Sequence, residues 1–401
     1  MKKISIISFI FAFVMSFFVF FGYLTYNSYP ILYLAIAIGL IMVLKYKKRI
    51  RISLNNILWI FVGLVLFLGC IYSNAQNNAF NFSLSFFLML VLSIICTNIN
   101  DNRWFNYFVK ISIVFGLIHV FGTLLYQVYP YTLDSICRKI LKPGDYVMNA
   151  FLWKNGRNPG ITGQTGINGW FISITIGLLC NYLFENKKRF LKILTFVLIL
   201  LSIVALILTS KRSFILFSAL SIVLIYIMNN NDEKHGKFKR IILFLIISFF
   251  LILIISNNSQ LINVFDRFVG DGTDISSGRY SLYQKMFDIF VQNPILGIGT
   301  MSVLPLLGNL GHNIYLQVLC ENGLFSFILF IVAISHSYRI IKKYNLKSNI
   351  NMKICSYIFL LFFLYGFTGN PLYTIQEYGL LMLVIGFINH FEYGGEKIEK
   401  E

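Results

Sequence analysis

The stretch LKILTFVLILLSIVALILT, residues 191–209, carries one charged side chain and is otherwise almost entirely apolar. A helix rises about 1.5 Å per residue, so a run of this length is near what is needed to cross the ~30 Å hydrocarbon core of a bilayer. Similar runs recur along the 401 residues, of which 57% are hydrophobic and only 12% charged. The mean hydropathy is +0.73. Because these runs are continuous rather than alternating, they predict helices and not a barrel.

The sequence therefore predicts an all-α, polytopic helical membrane protein with about twelve transmembrane helices in a single domain, residues 1–401. The first run follows Lys2 and Lys3 but lacks a small-residue cleavage site, so it is interpreted as an uncleaved span and not as a signal peptide. The predicted spans are 4–24, 29–44, 56–73, 79–97, 105–127, 166–184, 191–209, 213–228, 240–256, 313–335, 354–369 and 376–391.

The distribution of positive charge predicts the orientation of these spans. With an even number of spans, most of the 34 Lys and Arg residues fall in loops on the side of the two termini. The positive-inside rule then places both termini in the cytoplasm, and two long loops, 128–165 and 257–312, on the outer (periplasmic) face. The same rule accounts for the formal net charge of +18. Since no basic soluble domain is present, a nucleic-acid partner is excluded.

Several basic residues are predicted on the outer face, where the positive-inside rule predicts few. Arg157 lies in a glycine-rich run, and Lys211 and Arg212 form most of the connection between spans seven and eight. Arg279 and Tyr280 open a predicted amphipathic helix that extends to residue 292. Guanidinium groups bond phosphate oxygens in pairs, and the amides of glycine-rich turns can surround an anion. The structural alternatives are contacts with lipid headgroups, an ordinary turn and an interfacial helix.

His312 lies at the outer mouth of the tenth span, where a side chain with a pKa near neutrality can accept a proton. Asn313, Gln317 and Glu321 follow at helical spacing and form one stripe down that span. An ionisable group inside a membrane span is a functional candidate. Glu321 alternatively serves as a neutral hydrogen-bonding group between helices.

Taken in this order, residues of about 150–335 resemble the O-antigen ligase and polymerase superfamily. The resemblance rests on Arg157 with its glycine-rich run, Leu208-Thr209-Ser210-Lys211-Arg212, Gly278-Arg279-Tyr280, Asn293-Pro294-Ile295-Leu296-Gly297-Ile298-Gly299, His312-Asn313-Ile314-Tyr315-Leu316-Gln317 and Glu321-Asn322-Gly323. It implies a GT-C type glycosyltransferase that acts at the outer face of the bacterial inner membrane on glycans carried by undecaprenyl pyrophosphate. Such a reaction is regarded as inverting and independent of metal.

The resemblance implies that the outer arginines hold the pyrophosphate and that His312 activates or positions the acceptor hydroxyl. The position of each residue in the sequence adds the remaining candidates. His312, Arg279 and Glu321 are the predicted catalytic residues; the predicted substrate-binding residues are Arg157, Lys211, Arg212, Asn313, Gln317 and Tyr280. No cofactor and no metal are expected, and a loop pair of carboxylates, Asp271 and Asp274, is weak support for a cation. The expected partners are an undecaprenyl-pyrophosphate-linked oligosaccharide, membrane lipid and, as a further candidate, a chain-length regulator.

Three functions fit this pattern. The pair Lys211-Arg212 resembles the repeat-unit polymerases of O-antigen and capsule synthesis, which transfer a growing chain to a lipid-linked repeat unit. The alternative is a ligase that transfers the finished glycan to a lipid A core. A flippase is the third, although transporters carry charges at depth in several spans. Here Glu321 is almost the only such residue.

Overall fold

The computed structural model describes residues 2–25, 27–45, 49–185, 188–228, 279–345 and 349–392. Within these ranges the chain forms α-helices, two short 3-10 helices and no strand, which confirms the all-helical prediction. The predicted ninth span, 240–256, lies outside the described residues, as do Asp271, Asp274 and the part of the second long loop before residue 279.

Helices lie over every predicted span that falls within these ranges. Six of them are long and apolar enough to cross a membrane, and four shorter apolar helices accompany them. The α-helices are α1 (Lys2–Phe21), α2 (Tyr29–Leu44), α3 (Leu54–Leu68), α4 (Gln76–Asn98), α5 (Arg103–Val128), α6 (Pro130–Ile140), α7 (Pro143–Lys154), α8 (Thr165–Glu185), α9 (Arg189–Leu208), α10 (Arg212–Met228), α11 (Arg279–Gln292), α12 (Val303–Leu307), α13 (Ile314–Asn345), α14 (Ile350–Tyr365) and α15 (Ile375–Glu392).

Two compact units make up the fold. The first comprises residues 1–111 and 276–401, and the second comprises residues 112–275. In the second unit α8 packs against α9 and α10, and the predicted loop 128–165 contains a pair of packed helices, α6 and α7. The sequence-based expectation of one transmembrane domain over residues 1–401 stays a prediction.

Helix α15 forms the centre of the first unit. It is buried from Glu377 to Phe391 and packs mainly against α4. Near its end, Asn389 donates a hydrogen bond to the Asn56 side chain (2.7 Å) and accepts one from the Asn55 side chain (2.9 Å). Apolar contacts distinguish poorly between a helix partner and a lipid chain, so such polar pairs help to fix which helices associate.

Helix α13 is broken at Gly323. The backbone there has φ 74° and ψ −178°, a conformation that only glycine adopts readily. A Cβ atom on this residue would also collide with the carbonyl oxygen of Ile295. The amide of Leu324 donates to the carbonyl of Pro294 (2.9 Å). The segment of the chain that precedes α13 in sequence therefore packs against α13 at the break.

This segment is the turn of residues 293–302. The amides of Ile298 and Gly299 donate to the carbonyls of Cys320 and Glu321, at 3.1 and 2.8 Å. A buried carbonyl without a partner costs about 1–3 kcal/mol, and these bonds avoid that cost at two positions next to the break. The turn and the broken helix thus depend on each other.

The other side of the turn is fixed to the end of α3. The amide of Thr300 donates to the carbonyl of Gly69 (3.1 Å), and the hydroxyl of Ser73 donates to the carbonyl of Thr300 (2.6 Å). These contacts fall where the sequence predicted a continuing span, 56–73, whereas α3 ends at Leu68. The predicted helix was too long because residues 69–73 turn to meet the 293–302 segment.

We expect Gly323→Ala to destabilise the protein more than Gly308→Ala. Gly308 has nearly the same φ, 73°, but no atom lies within 4 Å of a Cβ placed there. In the control, the free energy of unfolding should fall by about 1–2 kcal/mol, because alanine is strained in the left-handed conformation. Gly323→Ala adds a collision with the turn. Thermal unfolding of the two purified variants in detergent compares them, and equal losses of Tm would show that the turn does not depend on this glycine.

Candidate functional site

His312 lies two residues before Ile314, where α13 begins, and it is exposed. Its backbone is left-handed, with φ 50°. Few residues other than glycine adopt this conformation, and histidine is among those that do so more often. Residues held in such sparsely populated conformations cluster at active sites, provided that their neighbours hold them in place.

Neighbouring groups hold the His312 backbone on both sides. The hydroxyl of Tyr283 donates to the carbonyl of His312 (2.9 Å) and lies 3.2 Å from the carbonyl of Phe367. On the other side, the amide of Gly311 donates to Oε1 of Gln317 (3.0 Å). The imidazole is therefore presented from a fixed backbone.

Asn313 caps the start of α13. Its side-chain oxygen accepts hydrogen bonds from the amides of Tyr315 and Leu316, each at 3.0 Å. These amides have no partner within a helix, and the side chain of an N-cap asparagine supplies one. The amide of Ile314 donates to the carbonyl of Gly366 (2.9 Å), which ties the same turn to the end of α14.

Arg279 and Tyr280 begin α11, and this helix spans the residues predicted to be amphipathic, 279–292. Tyr280 is 73% exposed. Tyr283 follows Arg279 by one turn, and burial raises the pKa of the Tyr283 hydroxyl while the nearby charge of Arg279 lowers it. Since Tyr283 also contacts His312, Arg279 and His312 belong to the same local structure.

Glu321 is fully buried within α13, and the environment of its carboxylate is polar. Oε1 accepts hydrogen bonds from the side-chain amide of Gln317 (3.1 Å) and from the backbone amide of Val303 (3.2 Å). Oε2 accepts one from the hydroxyl of Tyr373 (2.7 Å). A buried carboxylate is tolerated when such donors surround it. The predicted stripe therefore exists, and its two deeper members, Gln317 and Glu321, bond to each other.

In the second unit, Arg157 lies just beyond the end of α7 and is exposed. Gly156 adopts φ 65°, and the amide of Arg157 donates back to the carbonyl of Leu152 (3.0 Å). A left-handed glycine that ends a helix with such a bond is a common C-terminal cap. Gly156 therefore allows the turn that ends α7, and Arg157 is exposed at this turn.

The connection that carries Lys211 and Arg212 packs beside this turn. The amide of Asn158 donates to the carbonyl of Leu208 (3.2 Å). A Cβ placed on Gly166 would lie 4.0 Å from Cε of Lys211, so the lysine runs along the first turn of α8. The start of a helix attracts anions through its unpaired amides and its dipole. The backbone segments that carry Arg157 and the Lys211-Arg212 pair are therefore adjacent in the fold.

The structure thus groups the predicted site residues in two sets. Arg279, Tyr280, His312, Asn313, Gln317 and Glu321 lie in the first unit, and Arg157, Lys211 and Arg212 lie in the second. Sequence reasoning missed Tyr283 and Tyr373. The i+4 spacing from Arg279 is a signal for Tyr283, whereas nothing local to Tyr373 connects it with Glu321. Within the described ranges, no three His, Cys, Asp or Glu side chains form a group that could hold a metal ion.

Part of the chain is similar to a known protein family. Residues 196–331, about a third of the chain, match a family model described as O-antigen ligase. No curated protein matches the chain. The matched segment includes the Lys211-Arg212 connection, the 293–302 turn, His312 and Glu321, and it supports a function of the ligase or polymerase type in a membrane protein. The match over residues 196–331 therefore supports the resemblance of this part of the chain to the O-antigen ligase and polymerase superfamily.

Proposed function

We propose that this protein is a polysaccharide repeat-unit polymerase. It transfers a growing glycan from undecaprenyl pyrophosphate to the non-reducing-end hydroxyl of a lipid-linked repeat unit, at the outer face of the bacterial inner membrane. The observation that carries the proposal is the exposed His312 imidazole, held in a left-handed backbone at the start of a membrane-length helix. An exposed base at the head of such a helix suits a substrate whose lipid lies in the membrane and whose sugar lies outside it.

In the proposed reaction, the acceptor hydroxyl attacks the anomeric carbon of the donor glycan. The proton of this hydroxyl passes to His312, since general-base assistance makes a sugar hydroxyl a better nucleophile. The bond between the anomeric carbon and the pyrophosphate oxygen breaks, and undecaprenyl pyrophosphate leaves with the electron pair. Attack opposite the leaving group inverts the anomeric centre. No metal ion takes part in this scheme.

The leaving group gains negative charge during this step, and fixed cations stabilise such charge. We assign pyrophosphate binding to Arg157, Lys211 and Arg212. The contact between the Asn158 and Leu208 backbone and the position of Lys211 beside the start of α8 support this assignment. Arg279 and Tyr280 are assigned to the sugar or phosphate nearest to His312, because Tyr283 links their helix to the histidine backbone. The side-chain oxygens of Gln317 and Asn313 accept hydrogen bonds from backbone amides. We therefore propose that these two residues hold the backbone of the site and do not bind the substrate through these oxygens.

A ligase is the second candidate, since the matched family model is described as O-antigen ligase and the match supports either type of function. The two reactions share the donor and the chemistry at the anomeric carbon. They differ in the acceptor: a polymerase uses a lipid-linked repeat unit, and a ligase uses the lipid A core or another final acceptor.

A deletion strain separates the candidates through the sizes of its glycans and its lipid-linked pool. Single repeat units on the final acceptor, with long chains absent, are the result expected for a polymerase. Full-length chains retained on undecaprenyl pyrophosphate would establish a ligase. Repeat units confined to the cytoplasmic face would overturn both and favour a flippase.

We expect His312→Ala and His312→Asn to abolish chain extension, while the protein still inserts in the membrane. Asparagine tolerates the left-handed backbone, so His312→Asn removes the base with little strain. His336→Ala, on the same helix α13, is the matched control and should retain activity. Polymer of normal length from His312→Asn, at equal protein levels, would exclude the general-base role.

Arg212→Lys should lower the rate of transfer, because an ammonium group cannot reproduce the paired hydrogen bonds that a guanidinium makes to phosphate. Arg138→Lys, at an exposed position of α6, is the control for the same chemical change. The measurement is the rate of chain extension at a fixed amount of lipid-linked substrate. Equal rates in the two variants would exclude paired binding of phosphate by Arg212 and would favour a contact with lipid headgroups.

A further inference from the structure

We propose that Glu321 is a positioning residue, which fixes the backbone of His312 through Gln317 and Gly311. This inference rests on the proposed function, in which His312 is the base. The hydrogen-bonded residues Tyr373, Glu321, Gln317 and Gly311 are here called the Glu321 network. It replaces the direct catalytic role that was predicted for Glu321 from its place inside a membrane span.

The carboxylate of Glu321 is out of reach of a substrate. Glu321 and Gln317 are both 0% exposed, so neither side chain is open to a substrate. Donors from two other parts of the chain, Val303 and Tyr373, occupy the carboxylate together with Gln317. Glu321 can therefore influence the reaction only by positioning the residues to which it is hydrogen-bonded.

The carboxylate also orients the Gln317 amide. An ionised carboxylate only accepts hydrogen bonds, so it selects the nitrogen of this amide as its neighbour. The oxygen then faces the opposite way and accepts from the amide of Gly311 (3.0 Å). If the Gln317 amide were reversed, its NH₂ group would face the Gly311 N–H, and two donors would oppose each other. Glu321 therefore determines whether Gly311 has an acceptor.

Gly311 connects the network with the imidazole. Gly311 directly precedes His312, and a Cβ on Gly311 would lie 2.5 Å from Cε of Met286 in α11. Gln317 holds the amide of Gly311, one residue before His312, and Tyr283 holds the peptide group that follows the His312 Cα. Together they maintain the backbone at φ 50°. Loss of one contact permits the residue to relax toward a commoner conformation, which would move the imidazole.

Steady-state kinetics on the full-length purified protein test the network. The probe is the lipid-linked repeat unit extracted from a strain that lacks the protein. Gln317→Met keeps the length of the side chain but removes the acceptor for Gly311. Its kcat should fall by about 10- to 100-fold, the scale of a misplacement near 1 Å. KM and the midpoint of the acidic limb of the pH profile should stay unchanged, because the imidazole is still the base. Gln376→Met, outside the network, is the matched control and should behave as wild type.

Glu321→Gln separates positioning from chemistry. The new amide oxygen can still accept from Gln317 and Val303, while its NH₂ group donates to the Tyr373 hydroxyl. We expect kcat to fall by only about fivefold, the difference between hydrogen bonds to a charged and to a neutral group. Tyr373→Phe removes one donor and should have a similarly small effect.

The outcomes distinguish this inference from the proposed function. Wild-type kcat in Gln317→Met would overturn the inference, as would a Glu321→Gln variant of normal Tm that is as inactive as His312→Asn. Full activity in His312→Asn would instead overturn the proposed function. If Glu321→Gln does not fold, Gln317→Met still tests the inference, and a Tyr373→Phe variant of normal Tm that is as inactive as His312→Asn would also overturn it.

Discussion

The carboxylate of Glu321 must find hydrogen-bond donors, because it is buried inside a helix of membrane length. Removing such a group from water costs several kcal/mol unless partners compensate. The donors come from α12, from the 3-10 turn Pro371–Tyr373 and from Gln317 one turn earlier. A single buried group thus joins α13 to the preceding helix α12 and to a turn 52 residues further along the chain.

The break in α13 serves the same arrangement. A continuous helix would bond the carbonyls of Cys320 and Glu321 to its own amides, and the 293–302 turn could not approach. Gly323 ends the first part of the helix, and Gly297 and Gly299 let the turn come close; a Cβ on Gly299 would lie 2.6 Å from Cα of Ser73. Packing therefore explains the two glycines of Gly297-Ile298-Gly299, a motif on which the family resemblance rests. It supports the part of α13 that begins at His312.

Much of this fold follows from local sequence. Continuous apolar runs predicted the helices, and the spacing of Asn313, Gln317 and Glu321 predicted their common face. The break at Gly323 and the role of Tyr373 could not be predicted, because each depends on a partner far along the chain, Pro294 or Glu321. The exposure of His312 was predicted from its place at the end of a span. Its left-handed backbone was not, because Gly311, Tyr283 and Gln317 jointly determine it.

Reconstitution of the purified protein in lipid vesicles, with lipid-linked repeat units as the only glycan, tests the central claim most directly. The sizes of the lipid-linked glycans are resolved on a gel after incubation. The account predicts a ladder of chains that differ by one repeat unit, formed without any other protein and without added metal. Repeat units that stay unextended, but are transferred when a lipid A core is supplied, would contradict a polymerase and identify a ligase.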